Sequence, residues 1–477
     1  MPREAPTVLT SHGAVRGART ADGIHVFKGI PYAAPITGGA RFDAPRAPER
    51  WDGTREATRF SPGVPQPAFV GSAEPLWTPG DGDDCLSVNV WTPDPGAAGL
   101  PVLVWLHGGA FILGSSTQPG YAGAVLACAG VVVVSLNYRV GLEGFGQLPG
   151  KPANRWMRDQ LAALRWVQDN VARFGGDPGN VTVFGQSAGA TSTACLVASD
   201  AGRGLFRRAI AQSVAGVVVD EATALATTAR IAAALGVEPT ADGFAGIPAE
   251  AIHGAQAVPG QVTPYAPVLD GELVPARPWE RLRGEVDLVV GFTRDEFQLF
   301  TLLEGRAEAD PAATVAEVGL PPAALAAYRA AYPGLGDLDL HTLIMTDAVF
   351  RMPSLWCARR HPGRVFCYEF AWASPALGGA LRSCHGLDVP LTFGNLAGGM
   401  ADLLLGSPTP AEAAPLSKEI RAAWVGFATD GDPGWPEYQS AGPEGPEGGL
   451  ARRFDVPSSV VADPVAASRR IWEPVLG

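Results

Sequence analysis

The sequence predicts an α/β architecture, a mostly parallel central sheet flanked by helices. Three observations predict it. Short continuous apolar runs rich in β-branched residues recur along the chain, as strands buried on both faces of a parallel sheet require. Stretches with helical apolar spacing lie between them, and this alternation implies crossover connections that place helices on both faces. The balance of 47% hydrophobic and 18% charged residues is that of a globular protein able to fill such a core.

In chain order, "PVLVWLHGG" (101–109) reads as a strand running into a glycine turn, and "VVVVSLNYR" (131–139) as a second buried strand. "RDQLAALRWVQDNVARFGG" puts Leu161, Leu164, Val167 and Val171 on one helical face, with Gly175 placed to cap its end. "NVTVF" (180–184) is the next strand and "AGATSTACLVAS" the helix after it; "VDLVVGFT" (286–293) and "RVFCYEFAWA" (364–373) add two more strands. Helical insertions are expected at roughly 217–285 and 297–360, both containing Ala-rich stretches. "YQSAGPEGPEGGLARRF" contains a Pro/Gly/Glu loop expected to be exposed. No linker separates domains, so residues 1–477 read as one domain with insertions.

Composition narrows the function. A net charge of −12 with no dense basic cluster argues against nucleic acid. The only lysines are Lys28, Lys151 and Lys418; none precedes Ser or Thr, so there is no P-loop. There is no H-E-x-x-H and no dinucleotide fingerprint, so no metal or cofactor is expected. The six cysteines show no C-x-x-C spacing and read mostly as small buried hydrophobes. The N-terminal stretch lacks a basic start followed by an apolar core, and the longest apolar run is too short for a bilayer. These features predict a cytoplasmic monomer with no membrane partner.

The chemistry centres on "VTVFGQSAGA" (181–190), where Ser187 lies between two glycines after a strand and before a helix. With 59 glycines in the chain, the bare G-x-S-x-G pattern is a weak signal; the strand–turn–helix context strengthens it. Such a turn lifts the hydroxyl above the sheet and aims the N–H of Ala188 at a developing oxyanion. A serine needs a base. The chain order Ser, acid, His removes His12, His25 and His107 and leaves His253, His341, His361 and His385. His385, in a loop after a strand, is the favoured base. The acid lies beyond "VDLVVGFT", where spacing leaves Asp295 and Glu296 open; Asp270 reads as a turn residue before glycine. "LHGGAF" (106–111) is the glycine-rich loop that would complete an oxyanion hole.

The stretches "FKGIPYAAPITGGARFDAP", "DDCLSVNVWTP", "WLHGGAF", "NYRVG", "DQLAALRWVQDNVARFGGDPGNVTVFGQSAGA", "LFRRAIAQS", "PVLDGELVP", "HGLDVPLTFG" and "WVGFATDGDPGWPEY" resemble the type B carboxylesterase family across nearly the whole chain. That resemblance implies an α/β-hydrolase fold and hydrolysis of carboxylic esters, small-molecule substrates, through an acyl-serine. It implies Ser187 as nucleophile, Glu296 rather than Asp295 as acid, and His385 as base. Gly109, Ala110 and Ala188 would be the oxyanion donors and Ser213 a supporting serine. Phe111, Trp77 and Trp156 are the candidate pocket residues, and favour short-to-medium apolar or aromatic esters over choline esters. An amidase or thioesterase with the same triad, or a non-catalytic recognition module, are the rival readings. Three departures stand out. Val64 replaces the cysteine that often pairs with the one at position 85, Trp156 replaces a usual glycine, and Glu143 replaces a usually apolar residue.

Overall fold

Eleven strands among the described residues form the central sheet of the computed structural model, which describes residues 5–68, 75–258, 262–438 and 448–475. The expected Pro/Gly/Glu loop, at 439–447, lies outside the described residues. The strands are β1 (Ala18–Arg19), β2 (His25–Pro31), β3 (Ser87–Thr92), β4 (Leu100–Leu106), β5 (Val132–Leu136), β6 (Gly176–Gln186), β7 (Arg208–Gln212), β8 (Asp287–Thr293), β9 (Val365–Phe370), β10 (Leu450–Phe454) and β11 (Ser459–Ala462). Their spatial order is β11-β10-β9-β8-β7-β6-β4-β5-β3-β2-β1. The run from β10 to β5 is parallel. β1–β3 on one edge and β11 on the other pair antiparallel. The mostly parallel sheet expected from the sequence is present, with antiparallel edges added.

The continuous apolar runs are explained by burial on both faces. Along β4, Val102, Val104 and Leu106 join one core cluster, while the alternating Leu103 and Trp105 join the other. The same two-residue alternation splits Val181 and Val183 from Phe184 on β6, and Leu288 and Val290 from Val289 on β8. The helix Arg155–Asn170 covers the first face with Leu161, Leu164 and Val167, and Gly175 caps the following 3₁₀ turn at φ +86°. The helix Ala413–Asp430 covers the second face with Leu416, Ile420, Trp424 and Phe427. Each such side chain taken from water stabilises the fold by roughly 1.5–3 kcal/mol.

Helices fill both stretches where insertions are expected. Glu221–Leu235 and Ala249–Gln256 lie between β7 and β8. Five helices from Gln298–Leu303 to Met352–Arg360, with a π-helical turn at Asp347–Arg351, lie between β8 and β9. Among the described residues no helix is long and apolar enough to cross a membrane. All six cysteines are free thiols, and Cys85 and Val64 are both buried. The loops after β4, β6, β7 and β8 leave the sheet at the C-terminal ends of its parallel strands, where α/β sheets hold their ligands.

Candidate active site

Ser187 sits between the end of β6 and the helix Ala188–Ala198 with φ +60° and ψ −124°, a conformation that L-residues rarely adopt. Its neighbours show why glycine is needed. A Cβ on Gly185 would lie 2.4 Å from the Gly189 carbonyl oxygen, and one on Gly189 would lie 2.0 Å from the Leu106 carbonyl oxygen. The turn is tied down by the Ser187 N–H donating to the Gln212 carbonyl at 2.9 Å and the Thr191 N–H donating to the Ser187 carbonyl at 2.9 Å. Ala188 opens the helix, so its N–H has no intrahelical acceptor and faces outward at the positive end of the dipole.

The loop after β4 approaches the same turn. Gly109, Ala110 and Phe111 have φ of +128°, +52° and +65°, three consecutive residues on the left-handed side. A Cβ on Gly109 would lie 1.9 Å from the Leu113 carbonyl oxygen, and one on Gly108 would lie 3.1 Å from the Ser187 Cβ. Ile112 and Leu113 donate back to the Gly109 carbonyl at 3.1 and 3.0 Å. Among the described residues the N–H groups of Gly109 and Ala110 have no acceptor, so they are available to an oxyanion. Beneath the loop His107 stacks on Tyr138, with ring centroids 4.3 Å apart. Burial pushes its pKa down to about 4, so it is neutral at pH 7.

Glu296 is fully buried on the turn after β8. Its Oε1 accepts from the Thr293 N–H at 2.7 Å, and its Oε2 accepts from His385 Nδ1 at 2.5 Å. The alternatives separate in space. Asp295 turns the other way and accepts from the Ser383 N–H at 3.2 Å. Asp270 closes its own turn, accepting from the Glu272 and Val274 N–H groups. A short ladder holds the two segments together: Asp295 bridges Cys384, and the His385 N–H donates to the Glu296 carbonyl at 3.2 Å. His341 bonds Thr314, His361 caps the Gly363 N–H, and His253 meets the edge of Trp77. Ser213 follows β7 with φ +64°, and its buried hydroxyl has no partner among the described residues.

The pocket candidates separate as well. Phe111 is buried against Phe145 at 5.0 Å. Trp156, expected as a pocket wall, is entirely buried in the helix Arg155–Asn170 and stacks on Phe145 at 5.2 Å. It therefore supports Phe111 from behind, because the flat side of Phe145 gives it a partner in the core. Trp77 is half-buried beside His253. Glu143 has a clear physical role: its carboxylate pairs with Arg41 at 2.6 Å, and its carbonyl accepts from buried Arg155.

The sequence reading missed two aromatic rings. Phe350 packs on the His385 ring at 4.3 Å and Phe300 at 5.3 Å, and the two stack on each other at 5.9 Å. Phe300 lies on the short helix Gln298–Leu303 that starts two residues past Glu296. Phe350 sits on the π-helical turn and had no local signal. The reading also missed Asp388, fully buried at the start of the helix Asp388–Phe393, which accepts from Gln212 at 2.9 Å and from the Tyr368 hydroxyl at 3.0 Å.

A hydroxyl on a strained turn, free N–H groups opposite it and an imidazole held by a buried carboxylate form the constellation for acyl transfer. Comparison with known proteins agrees. Residues 4–318 match the model of the carboxylesterase family. The chain is 37% identical over 458 residues to a para-nitrobenzyl esterase of Bacillus subtilis (strain 168), covering 90% of this chain and 92% of that protein. It is 34% identical over 467 residues to a phenmedipham hydrolase of Pseudarthrobacter oxydans, covering 92% and 94%. A solved Geobacillus stearothermophilus carboxylesterase at pH 6.2 superposes with a TM-score of 0.87 at 35% identity, covering 98% of this chain and 100% of that one. The chain belongs to the carboxylesterase family and is a carboxylic ester hydrolase with the α/β-hydrolase fold.

Proposed function

We propose that this enzyme hydrolyses short-to-medium carboxylic esters with apolar or aromatic groups through an acyl-serine intermediate. The observation that carries the substrate class is the Phe300–Phe350 pair packed directly on the His385 ring. Phe300, half-buried and backed by the buried Phe350, offers an apolar surface to whatever group the substrate places beside the base, and apolar lining with few polar groups selects such ligands. The names of two relatives, a para-nitrobenzyl esterase and a cocaine esterase from Homo sapiens, fit the same substrate class.

In this reading Ser187 Oγ attacks the ester carbonyl as His385 Nε2 takes its proton. Glu296 holds the ring in the tautomer that leaves Nε2 basic and stabilises the imidazolium that forms. The N–H groups of Gly109, Ala110 and Ala188 hold the tetrahedral oxyanion, each worth roughly 3–4 kcal/mol in comparable sites. His385 then returns the proton to the departing alkoxide, and water repeats the attack on the acyl-serine. Free thiols at all six cysteines fit work in a reducing compartment such as the cytoplasm.

The test is a scan of p-nitrophenyl esters from acetate to palmitate, with charged esters, sugar esters, a thioester and an anilide beside them. The expected result is highest kcat/KM on short-to-medium apolar acyl chains, with Ser187 labelled by an organophosphonate. Turnover confined to charged or sugar esters, or to the anilide, would overturn the substrate class.

A further inference from the structure

We infer that Gln186 is a positioning residue that caps the catalytic base in the resting enzyme and must release it before Ser187 can be deprotonated. This inference rests on the assignment of His385 as base. The carboxamide Nε2 of Gln186 lies 3.0 Å from His385 Nε2. Glu296 takes the Nδ1–H of the same ring at 2.5 Å, so the neutral imidazole carries its lone pair on Nε2. A carboxamide oxygen facing that lone pair would be repelled; the N–H that does face it donates a hydrogen bond. Among the described residues His385 Nε2 has this partner and makes no hydrogen bond to Ser187.

The site is built to hold the amide there. Gln186 is buried at the last position of β6, and its backbone is registered to Gln212. Glycine at 108 makes room for its side chain, and Gly386 adjoins it at ordinary contact distance. A Cβ on Gly108, in the oxyanion loop, would lie 3.1 Å from the carboxamide oxygen, and one on Gly386, beside the base, would lie 3.7 Å from the nitrogen. The carboxamide thus spans from one catalytic loop to the other. Around His385 the charged and titratable groups are Glu296, Asp295 on the ladder, and Cys384 and Asp388 on its own segment; the Asp347–Arg351 pair lies on the turn that carries Phe350. None of these reaches Nε2, so the amide is the group that sets its resting contact.

The energetic consequence has two linked parts. The cap stabilises the neutral imidazole, which resists protonation of the free enzyme. The same cap is lost when Nε2 accepts the serine proton, which raises the barrier by the strength of that bond. A net neutral hydrogen bond corresponds to roughly a two- to tenfold factor. Removing the cap therefore raises the plateau of kcat/KM by that factor and moves the midpoint of the acid limb upward by the matching amount, about 0.3–1 pH unit. The two effects cancel on the acid side, where wild type and variant coincide.

The experiment measures kcat/KM for p-nitrophenyl butyrate, and the rate of organophosphonate labelling, from pH 4.5 to 9. It compares wild type, Gln186→Met and Gln186→Glu in the full chain. The expected result for Gln186→Met is an acid limb superposed on wild type and a plateau two- to tenfold above it. Gln186→Glu, with no donor and a negative charge beside Nε2, moves the midpoint further up. In ¹⁵N-histidine NMR of the wild type, the His385 Nε2 resonance lies upfield of a free pyridine-type nitrogen, which reads the cap without any variant. A Gln186→Met profile superposed on wild type throughout, a lowered plateau with an unmoved midpoint, or an uncapped Nε2 resonance would each overturn the inference. A wild type that neither turns over the ester nor takes the phosphonate on Ser187 would instead overturn the assigned chemistry, and this proposal with it.

Discussion

Ser187→Ala removes one oxygen from a turn whose backbone demands are the same for alanine. The φ of +60° at this residue stores strain on the order of 1–3 kcal/mol, and the variant keeps it. Stability should therefore change little, while kcat falls on the order of 10⁵–10⁶, leaving a residual rate from the oxyanion donors. Glu296→Gln keeps a hydrogen-bonding group at Nδ1 but no longer selects the productive tautomer, so kcat should fall about 10⁴. Asp295→Asn should stay within about tenfold, because its carboxylate bonds the Ser383 N–H and faces away from the ring. Measuring kcat beside thermal midpoints for the three variants checks the assignment, and a crippled Asp295→Asn with an active Glu296→Gln would reverse it. Spacing could not separate these two neighbours. What separates them is the turn after β8, which aims adjacent side chains to opposite sides, one to His385 and one to Ser383.

Strands with continuous runs of large apolar residues were legible; fully buried β3 and β7, whose runs are broken by Asn89 or built of alanine, were not. β4, β5, β6 and β8 show as apolar runs because both faces meet a core cluster. β2 contains Lys28, Gly29 and Pro31, and β11 is mostly exposed, so neither leaves such a run. Long-range partners were also invisible. Glu143 had no rationale in sequence because Arg41, its partner, is 102 residues away and on no shared periodic pattern. Trp156 stood out as a departure, but its burial depends on the face of Phe145. The Glu143–Arg41 pair yields a prediction at this scale. Its side chains are 2% and 15% exposed, so Glu143→Leu leaves a partly buried guanidinium without its counter-charge. Arg41 keeps its bonds to the Phe244 and Ile247 carbonyls, which places the expected loss at the low end, about 3 kcal/mol. Pairing it with Arg41→Met should recover most of the loss. Urea midpoints for the single and double variants read this directly, and a Glu143→Leu chain as stable as wild type would refute it.

Across the whole molecule, two buried groups tilt stability with pH in opposite directions. Burial, with a contribution from the neighbouring Glu296 charge, pushes Asp388 up to about 6. Because its folded value is raised above the unfolded value near ~3.9, its contribution to stability is full below about pH 4 and is lost as pH rises through about 6. His107 is lowered to about 4, so its contribution is full above pH ~6.5 and is lost as pH falls through about 4. Each amounts to on the order of 3 kcal/mol, and over the same window they oppose each other, which flattens the dependence of wild type. Asp388→Asn removes one arm of that balance. The asparagine oxygen can still accept from Gln212 and Tyr368, while the ionised form and its burial cost are gone. At about pH 4, where Asp388 is already protonated, variant and wild type should unfold at nearly the same temperature. At pH 8 the variant should be higher by roughly 3 °C, since a chain of 477 residues gains about 1 kcal/mol per degree of unfolding entropy. Thermal midpoints of both proteins across pH 4–8 test this, and an equal shift at both ends, or a lower midpoint for the variant at pH 8, would show that Asp388 is not the group whose burial costs stability there.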